Sequence, residues 1–238
     1  LDGNTHAGEE DIYLVKYNSA GTKQWTKQLG SASSEYPADV TTDSSDNIYV
    51  TGRTGGGLDG NTSSGKNDII LVKYNSSGTK QWTKQHGSSS FHSNARGVTT
   101  DSAGNIYVTG ETKGGLDGNN WAGKNDILLV KYNSSGTKQW TKQLGSSADD
   151  VGTGVTSDSA GNIYIIGDTK GALDGNTHLG QNDIFLAKYN SSGINSADVE
   201  PAKSTVTLHN LDDDTDVTVA LSSSDTGEGT VNPATLTF

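Results

Sequence analysis

One unit of 57 or 58 residues recurs along this 238-residue chain, and that period limits the fold more than any other feature. Asp11, Asp68, Asp126 and Asp183 mark one corresponding position, and Trp25, Trp82 and Trp140 mark another. Only 30% of the residues are hydrophobic, a level that resembles disorder until the apolar residues are located. They fall in short, regularly spaced runs with turn signals between them, the pattern of an all-β repeat chain. The longest runs have four residues, such as 69–72 and 127–130, so no transmembrane helix fits.

The second copy reads as four strands. Asp68-Ile-Ile-Leu-Val-Lys-Tyr74 is the first, and Lys80-Gln-Trp-Thr-Lys-Gln85 follows a tight turn. After a polar loop, residues 97–101 form a third strand, and 105–109 form a fourth. The Ile-Ile-Leu-Val strand is apolar on both faces and needs cover on both sides, which stacked sheets provide. The strand holding Trp82 alternates, with Gln81 and Thr83 on the other face. It reads as a half-exposed outer strand whose lysines discourage edge pairing. Both turns place Asn or Asp first and Gly fourth, which suits a type I turn closed by a left-handed Gly. Asp46 replaces that Gly once, at a modest conformational cost. Four strands at this period mark a β-propeller blade. The order leaves two strands of one blade, two whole blades and three strands of another. Thirteen strands do not close a ring, so further repeats or a second chain are expected to complete one of six to eight blades.

The run 101–110, with 125–132 and Gly136-Thr-Lys-Gln-Trp140, resembles the bacterial SBBP β-propeller repeat. That resemblance implies an all-β fold of four-stranded antiparallel blades over residues 1–190, and no single activity. Residues 191–203 read as a linker. Residues 204–238 carry a different strand pattern that resembles part of a Calx-β or immunoglobulin-like sandwich.

The sequence has no cysteine, which excludes a disulfide framework and a thiolate metal site. It also has no methionine and starts inside a repeat, so it is expected to be part of something longer. The net charge is −11, with eight acidic side chains against Lys203 in residues 198–238. An acidic chain with no basic stripe argues against nucleic acid and anionic membranes as partners.

In this frame the tight turns share one face of the propeller, and the long loops, which differ between copies, share the other. Loops on a rigid scaffold are where function is expected. The candidate binding residues there are Tyr36, Phe91, His92, Trp121, Asp149, Asp150 and His178, with His6 and Glu35 nearby in the same loops. Trp121 lies in a polar Gly/Asn loop, where it reads either as a stacking platform for a sugar or partner side chain or as a local lid.

Leu-Asp-Gly-Asn opens four loops, placing Asp2 with Asn4, Asp59 with Asn61, Asp117 with Asn119, and Asp174 with Asn176. Oxygen ligands in a Gly-rich loop suit Ca²⁺, although the spacing departs from an EF-hand and lacks its bidentate Glu. An ordinary turn, with the later Asp capping loop N–H groups, is the favoured reading. No cofactor is expected beyond that cation.

The leading functional expectation is a secreted or surface-displayed bacterial binding and scaffold module, not an enzyme, that engages a glycan or protein partner on the loop face. A polysaccharide-cleaving propeller using Asp149, Asp150 or His92 is one alternative. A structural subunit of an extracellular fibre or matrix is another. Self-association through open blade edges is expected in either case.

Overall fold

The computed structural model of the protein describes residues 2–89 and 91–195. The sandwich segment at 204–238 and most of the linker lie outside the described residues.

Every regular element among the described residues is a strand, and the thirteen strands form four antiparallel sheets. The first sheet pairs β1 (Ile12–Tyr17) with β2 (Lys23–Leu29). The second holds β3 (Glu35–Thr42), β4 (Ile48–Thr54), β5 (Asp68–Tyr74) and β6 (Lys80–His86) in that order. The third repeats it with β7 (Ser93–Thr100), β8 (Ile106–Thr112), β9 (Asp126–Tyr132) and β10 (Lys138–Leu144). The fourth holds β11 (Asp150–Ser157), β12 (Ile163–Thr169) and β13 (Asp183–Tyr189). This is the division expected from the repeat, and the set of sheets is not closed.

The sheets stack through three apolar seams, because β5 and β9 are apolar at every position from Ile69 to Val72 and from Ile127 to Val130. Alternate residues of a strand point to opposite faces. Ile70 and Val72 therefore face the first sheet, meeting Ile12 and Leu29. Ile69 and Leu71 face the third sheet, meeting Ile106, Val108, Leu128 and Val130. Ile127 and Leu129 meet Ile163, Ile165 and Ala187 of the fourth. Tyr49 and Tyr107 join these seams, tilted against Trp82 and Trp140 at ring separations of 6.0 and 6.1 Å.

Polar links cross the same seams. The Lys16 ammonium donates to the Ser76 carbonyl at 2.9 Å, and Lys131 does the same to Ser191 at 2.9 Å. Trp25, Trp82 and Trp140 lie over Gly78, Gly136 and Gly193 of the following sheet. The innermost strands β3, β7 and β11 run side by side, and the Val98 N–H donates to Asp39 Oδ2 at 2.9 Å.

The tight turns take the expected form. Asn75 Oδ1 accepts from the Ser77 and Thr79 N–H groups, and the Gly78 N–H closes on the Asn75 carbonyl at 2.9 Å. Asp46 sits in the left-handed region at φ 60°. The same turn recurs at Asn190–Gly193, so the blade pattern runs on to Asn195, which bridges to Tyr189.

The innermost strands begin earlier than their sequence suggests. Glu35, Tyr36 and Asp150, expected in loops, lie on β3 and β11. Ser93-Asn-Ala-Arg96 carries no apolar alternation that would reveal a strand, yet Ser93, Asn94 and Ala95 pair with Thr112, Glu111 and Gly110. Each innermost strand also bulges, its register slipping between Pro37 and Asp39, Ala95 and Gly97, and Gly152 and Gly154. Glycine is required opposite each bulge. A Cβ at Gly110 would collide with the Asn94 carbonyl oxygen and crowd Ala95, and Gly52 and Gly167 meet equivalent obstacles. Gly110→Ala is expected to cost about 1–3 kcal/mol, through overpacking against backbone, as measured by denaturant unfolding.

A second repeated device holds the inner turns. The Asp101 carboxylate accepts from the Ala103 and Asn105 N–H groups, the Asn105 amide and the Tyr107 hydroxyl, the last at 2.9 Å. Asp43 and Asp158 have the same partners in their copies. Burial works to raise Asp43 and Asp101, but the donors outweigh it and hold both below 3.8. At half-buried Asp158 the Asn162 donors dominate and lower it to about 2. A carboxyl lowered in the folded state contributes stability above its unfolded value and loses it as pH falls through the folded one. Stability is therefore expected to fall between about pH 4 and pH 2. Tyr107→Phe should move the acid midpoint upward and cost about 1–2 kcal/mol, with an unchanged midpoint counting against the network.

Candidate functional site

In all four Leu-Asp-Gly-Asn segments the Asp and Gly are two left-handed residues in succession. Asp59 and Gly60 have φ values of 52° and 80°, and the Asn61 N–H donates to the Leu58 carbonyl at 3.0 Å. Positive φ at both central positions defines a type I′ turn, which Asp-Gly adopts readily. The same geometry recurs at Asp117 and at Asp174, and Asp2 has the same positive φ.

The turn aims each Asp back at the outermost strand of its own sheet. Asp59 meets the Lys80 ammonium at 2.5 Å and accepts from the Thr83 hydroxyl. Asp117 meets Lys138 at 2.5 Å and has His86 at 3.1 Å. Asp2 meets Lys23 at 2.7 Å and also accepts from Thr26. In the fourth copy Asn195 donates to Asp174 at 3.0 Å. Hydrogen bonds from Lys23 and Thr26 hold Asp2 below the ordinary carboxylate value. Burial opposes the same lowering at Asp117, where Lys138 and Thr141 prevail.

The paired asparagines are spent on backbone. Asn61 and Asn119 amides donate to the Leu58 and Leu116 carbonyls at 2.7 Å, and Asn176 donates to the Leu173 carbonyl at 3.0 Å. Asn4 reaches the Thr26 carbonyl at 3.5 Å. The eight candidate calcium ligands thus stand in four separate turns, where the Asp side chains face an ammonium, hydroxyl or amide. Among the described residues no cluster of three or more acidic, His or Cys side chains could hold a metal ion.

The Asp nine residues later closes the loop from below. Buried Asp68 accepts from the Ser64 and Gly65 N–H groups at 2.7 and 3.1 Å and from the Gln85 amide at 2.8 Å. Asp126 accepts from the Ala122 N–H and Gln143, both at 2.8 Å. His178 lies 3.0 Å from Asp183, as His6 lies 3.2 Å from Asp11, so both histidines lean on their own loop's anchor.

Asp150 is also a fastening. It is buried and accepts from the Ser146 hydroxyl at 2.8 Å and from the Thr169 hydroxyl. Glu35 holds the equivalent place, accepting from Ser31 and from Thr54 at 2.7 Å. Ser93 fills it in the third sheet, 3.1 Å from the Thr112 hydroxyl. Asp150 therefore has counterparts that its residue type conceals, and it is withdrawn from solvent. Asp149 next to it is partly exposed, accepting from Asn125 at 2.8 Å and lying 3.5 Å from Lys170.

Near the start of the innermost strands, two adjoining clefts of about 370 and 390 Å³ share Arg96 and Thr153. Arg96 is the bulged residue of β7, and bulges re-aim side chains in this way. Its guanidinium makes two 2.9 Å bonds to the buried Glu111 carboxylate, leaving its outer side exposed. Arg53 stacks on the exposed Tyr36 ring at 4.4 Å, and Asp149, Asp168 and Lys170 line the other cleft. Sequence reasoning missed Arg53, Arg96, Glu111 and Asp168. A signal existed: Arg53, Glu111 and Asp168 occupy one position in otherwise repetitive strands, and Ala38, Arg96 and Thr153 occupy another.

The loops beyond bring two of the candidate aromatics together. Phe91 and Trp121, thirty residues apart, are both exposed with ring centroids 6.1 Å apart. His92 follows Phe91. Burial first, then the charges of Lys113, Lys66 and Arg53, lower its pKa.

Millimolar Ca²⁺ is expected to leave the melting temperature unchanged, because the Asp-Gly turns are already satisfied. A rise that Asp59→Ala removes would instead establish a cation site, by linkage. Asp117→Ala should cost about 1–2 kcal/mol, since Ala tolerates positive φ poorly.

Residues 24–59, 81–117 and 139–173 each match the SBBP beta-propeller repeat. The chain is 27% identical over 175 residues to an uncharacterized WD repeat-containing protein of Acanthamoeba polyphaga mimivirus, covering 62% of this chain and 12% of that protein. It is 25% identical over 219 residues to the regulatory protein FlaEY of Caulobacter vibrioides, covering 79% of this chain and 22% of that protein. The chain therefore spans less than a quarter of either relative. Each matched segment runs from the outermost strand of one sheet to the Asp-Gly turn of the next, so the likeness to the SBBP repeat recurs in step with the sheets.

Proposed function

We propose that the chain is a binding and scaffold module that engages a glycan or protein partner through its loop face, outside the cell. The observation that carries this reading is the Phe91–Trp121 pair, two adjoining aromatic rings both exposed to solvent, next to His92, on which Lys113, Lys66 and Arg53 act electrostatically. Aromatic faces recognise sugar rings and side chains at low conformational cost. The cations favour an acidic ligand, such as a uronate-bearing glycan or an acidic peptide. The extracellular placement, secreted or surface-displayed, rests on the resemblance to SBBP architectures.

The hydrolytic alternative loses support from the geometry, since buried Asp150 is tied to Ser146 and Thr169 and Asp149 is paired with Asn125 and Lys170. A general acid and base must converge on one reachable pocket.

A glycan array, read alongside an acidic-peptide panel, tests the proposal. Trp121→Ala is expected to weaken any hit by about tenfold, equivalent to about 1.4 kcal/mol, without changing the melting temperature by more than a degree or two. Binding that survives both Trp121→Ala and Phe91→Ala would contradict the site. Turnover of a polysaccharide would contradict the non-enzymatic reading.

A further inference from the structure

Of the 17 basic side chains in this acidic chain only Arg53 and Arg96 are arginines, and both line the same cleft of about 390 Å³. Neither belongs to the repeat. Arg53 stands on β4 where Glu111 stands on β8 and Asp168 on β12, each paired with the residue two places before a bulge. Arg96 is the bulged residue of β7, where β3 has Ala38 and β11 has Thr153. Two departures from the pattern, on different sheets, thus bring two guanidinium groups into one cleft.

The two groups are held differently. Arg96 Nε and Nη2 each donate to the buried Glu111 carboxylate at 2.9 Å, so that pair is neutral as a unit and Nη1 is left over. Arg53 stacks on the Tyr36 ring at 4.4 Å, a contact that orients its guanidinium without neutralising it. Its Nε is buried with no hydrogen-bond partner, and no carboxylate pairs with it among the described residues. The cleft is otherwise lined by uncharged side chains, with Thr153 supplying a hydroxyl. It therefore carries about one uncompensated positive charge, which a singly charged anion balances and a phosphate dianion exceeds. A carboxylate also matches the planar fork of a guanidinium.

The adjoining cleft of about 370 Å³ indicates what bears that carboxylate. It shares Arg96 and Thr153 and adds Asn125, Asp149, Asp168 and Lys170, a set of donors and acceptors suited to hydroxyl groups. A carboxylate side chain of a peptide would fill the first cleft alone, whereas a sugar acid reaches into both. We propose that Arg53 and Arg96 bind the carboxylate of a uronic-acid unit, with the sugar hydroxyls against Asn125 and Asp168. The proposal rests on the binding reading above for its ligand class but not on Phe91 and Trp121. None of the residues it uses lies on β1, β2 or β13.

Isothermal titration of the full chain with trigalacturonate, with its uncharged methyl ester as control, tests this. Wild type is expected to bind the acid and not the ester, and to bind it more weakly as salt rises. Arg53→Gln should weaken binding about tenfold or more, since a charge-assisted hydrogen bond is lost. Arg53→Lys should recover only part of that loss, because Lys keeps the charge without the fork. Neither variant should shift the melting temperature by more than a degree or two, as Arg53 is fastened by stacking alone. Trp121→Ala separates this site from the aromatic pair. Weakening by Arg53→Gln supports the proposal whatever Trp121→Ala does, whereas weakening by Trp121→Ala alone overturns it and leaves the aromatic reading in place. A wild type that ignores trigalacturonate, binds acid and ester equally, or prefers an acidic peptide to trigalacturonate would also overturn it.

Discussion

Burial of both faces of β5 and β9 is the constraint on which the rest of the structure depends. Each strand sends alternate residues into two different seams, so a run of four apolar side chains serves two interfaces at once. Fully burying one such side chain is worth about 1.5–3 kcal/mol, and these strands are where a chain of low hydrophobicity concentrates that gain. No sheet here has a core of its own. The apolar contacts lie between sheets, and stability in such arrays is set by neighbour-to-neighbour interfaces.

The polar residues that recur with the period serve this stacking. Asp68 and Asp126 are buried at the starts of β5 and β9, where they gather the N–H groups of the preceding loop and a Gln from the outermost strand. Asp59 and Asp117 tie the far side of the same loop to Lys80 and Lys138. With each loop fixed at both ends, the side chain between the anchors is free to vary, and the four copies place His6, Ser63, Trp121 and His178 there. The bulged strands do the same at the inner ends, where Ala38, Arg96 and Thr153 differ although their surroundings repeat. A rigid frame with variable positions on one face is the physical basis for reading that face as the functional one.

Much of this architecture was legible in the sequence, because turn chemistry, apolar runs and period all agree on the same strands. The division into two, four, four and three strands follows from the repeat, and Asp46 at φ 60° was identifiable as the substitute for a turn Gly. The inner strand starts were not legible. Ser93–Arg96 lacks alternation, and its pairing is fixed by a bulge that no residue type announces. Nor was the role of Asp150 legible, since its counterparts are a Glu and a Ser and only shared bonding partners reveal their equivalence. Trp121 was visible as an unusual loop residue, but its contact with Phe91 crosses two loops, which local pattern cannot show. The open ends were read as unpaired strand edges.

Native-state hydrogen exchange, resolved strand by strand, tests the central role of the doubly buried strands most directly. Amides of β5 and β9 should exchange slowest of all, opening only with global unfolding, while the outer strands β6 and β10 should exchange faster through local opening. Protection in β6 and β10 equal to that in β5 and β9 would contradict the account, because it would place the stability within each sheet instead of between the sheets.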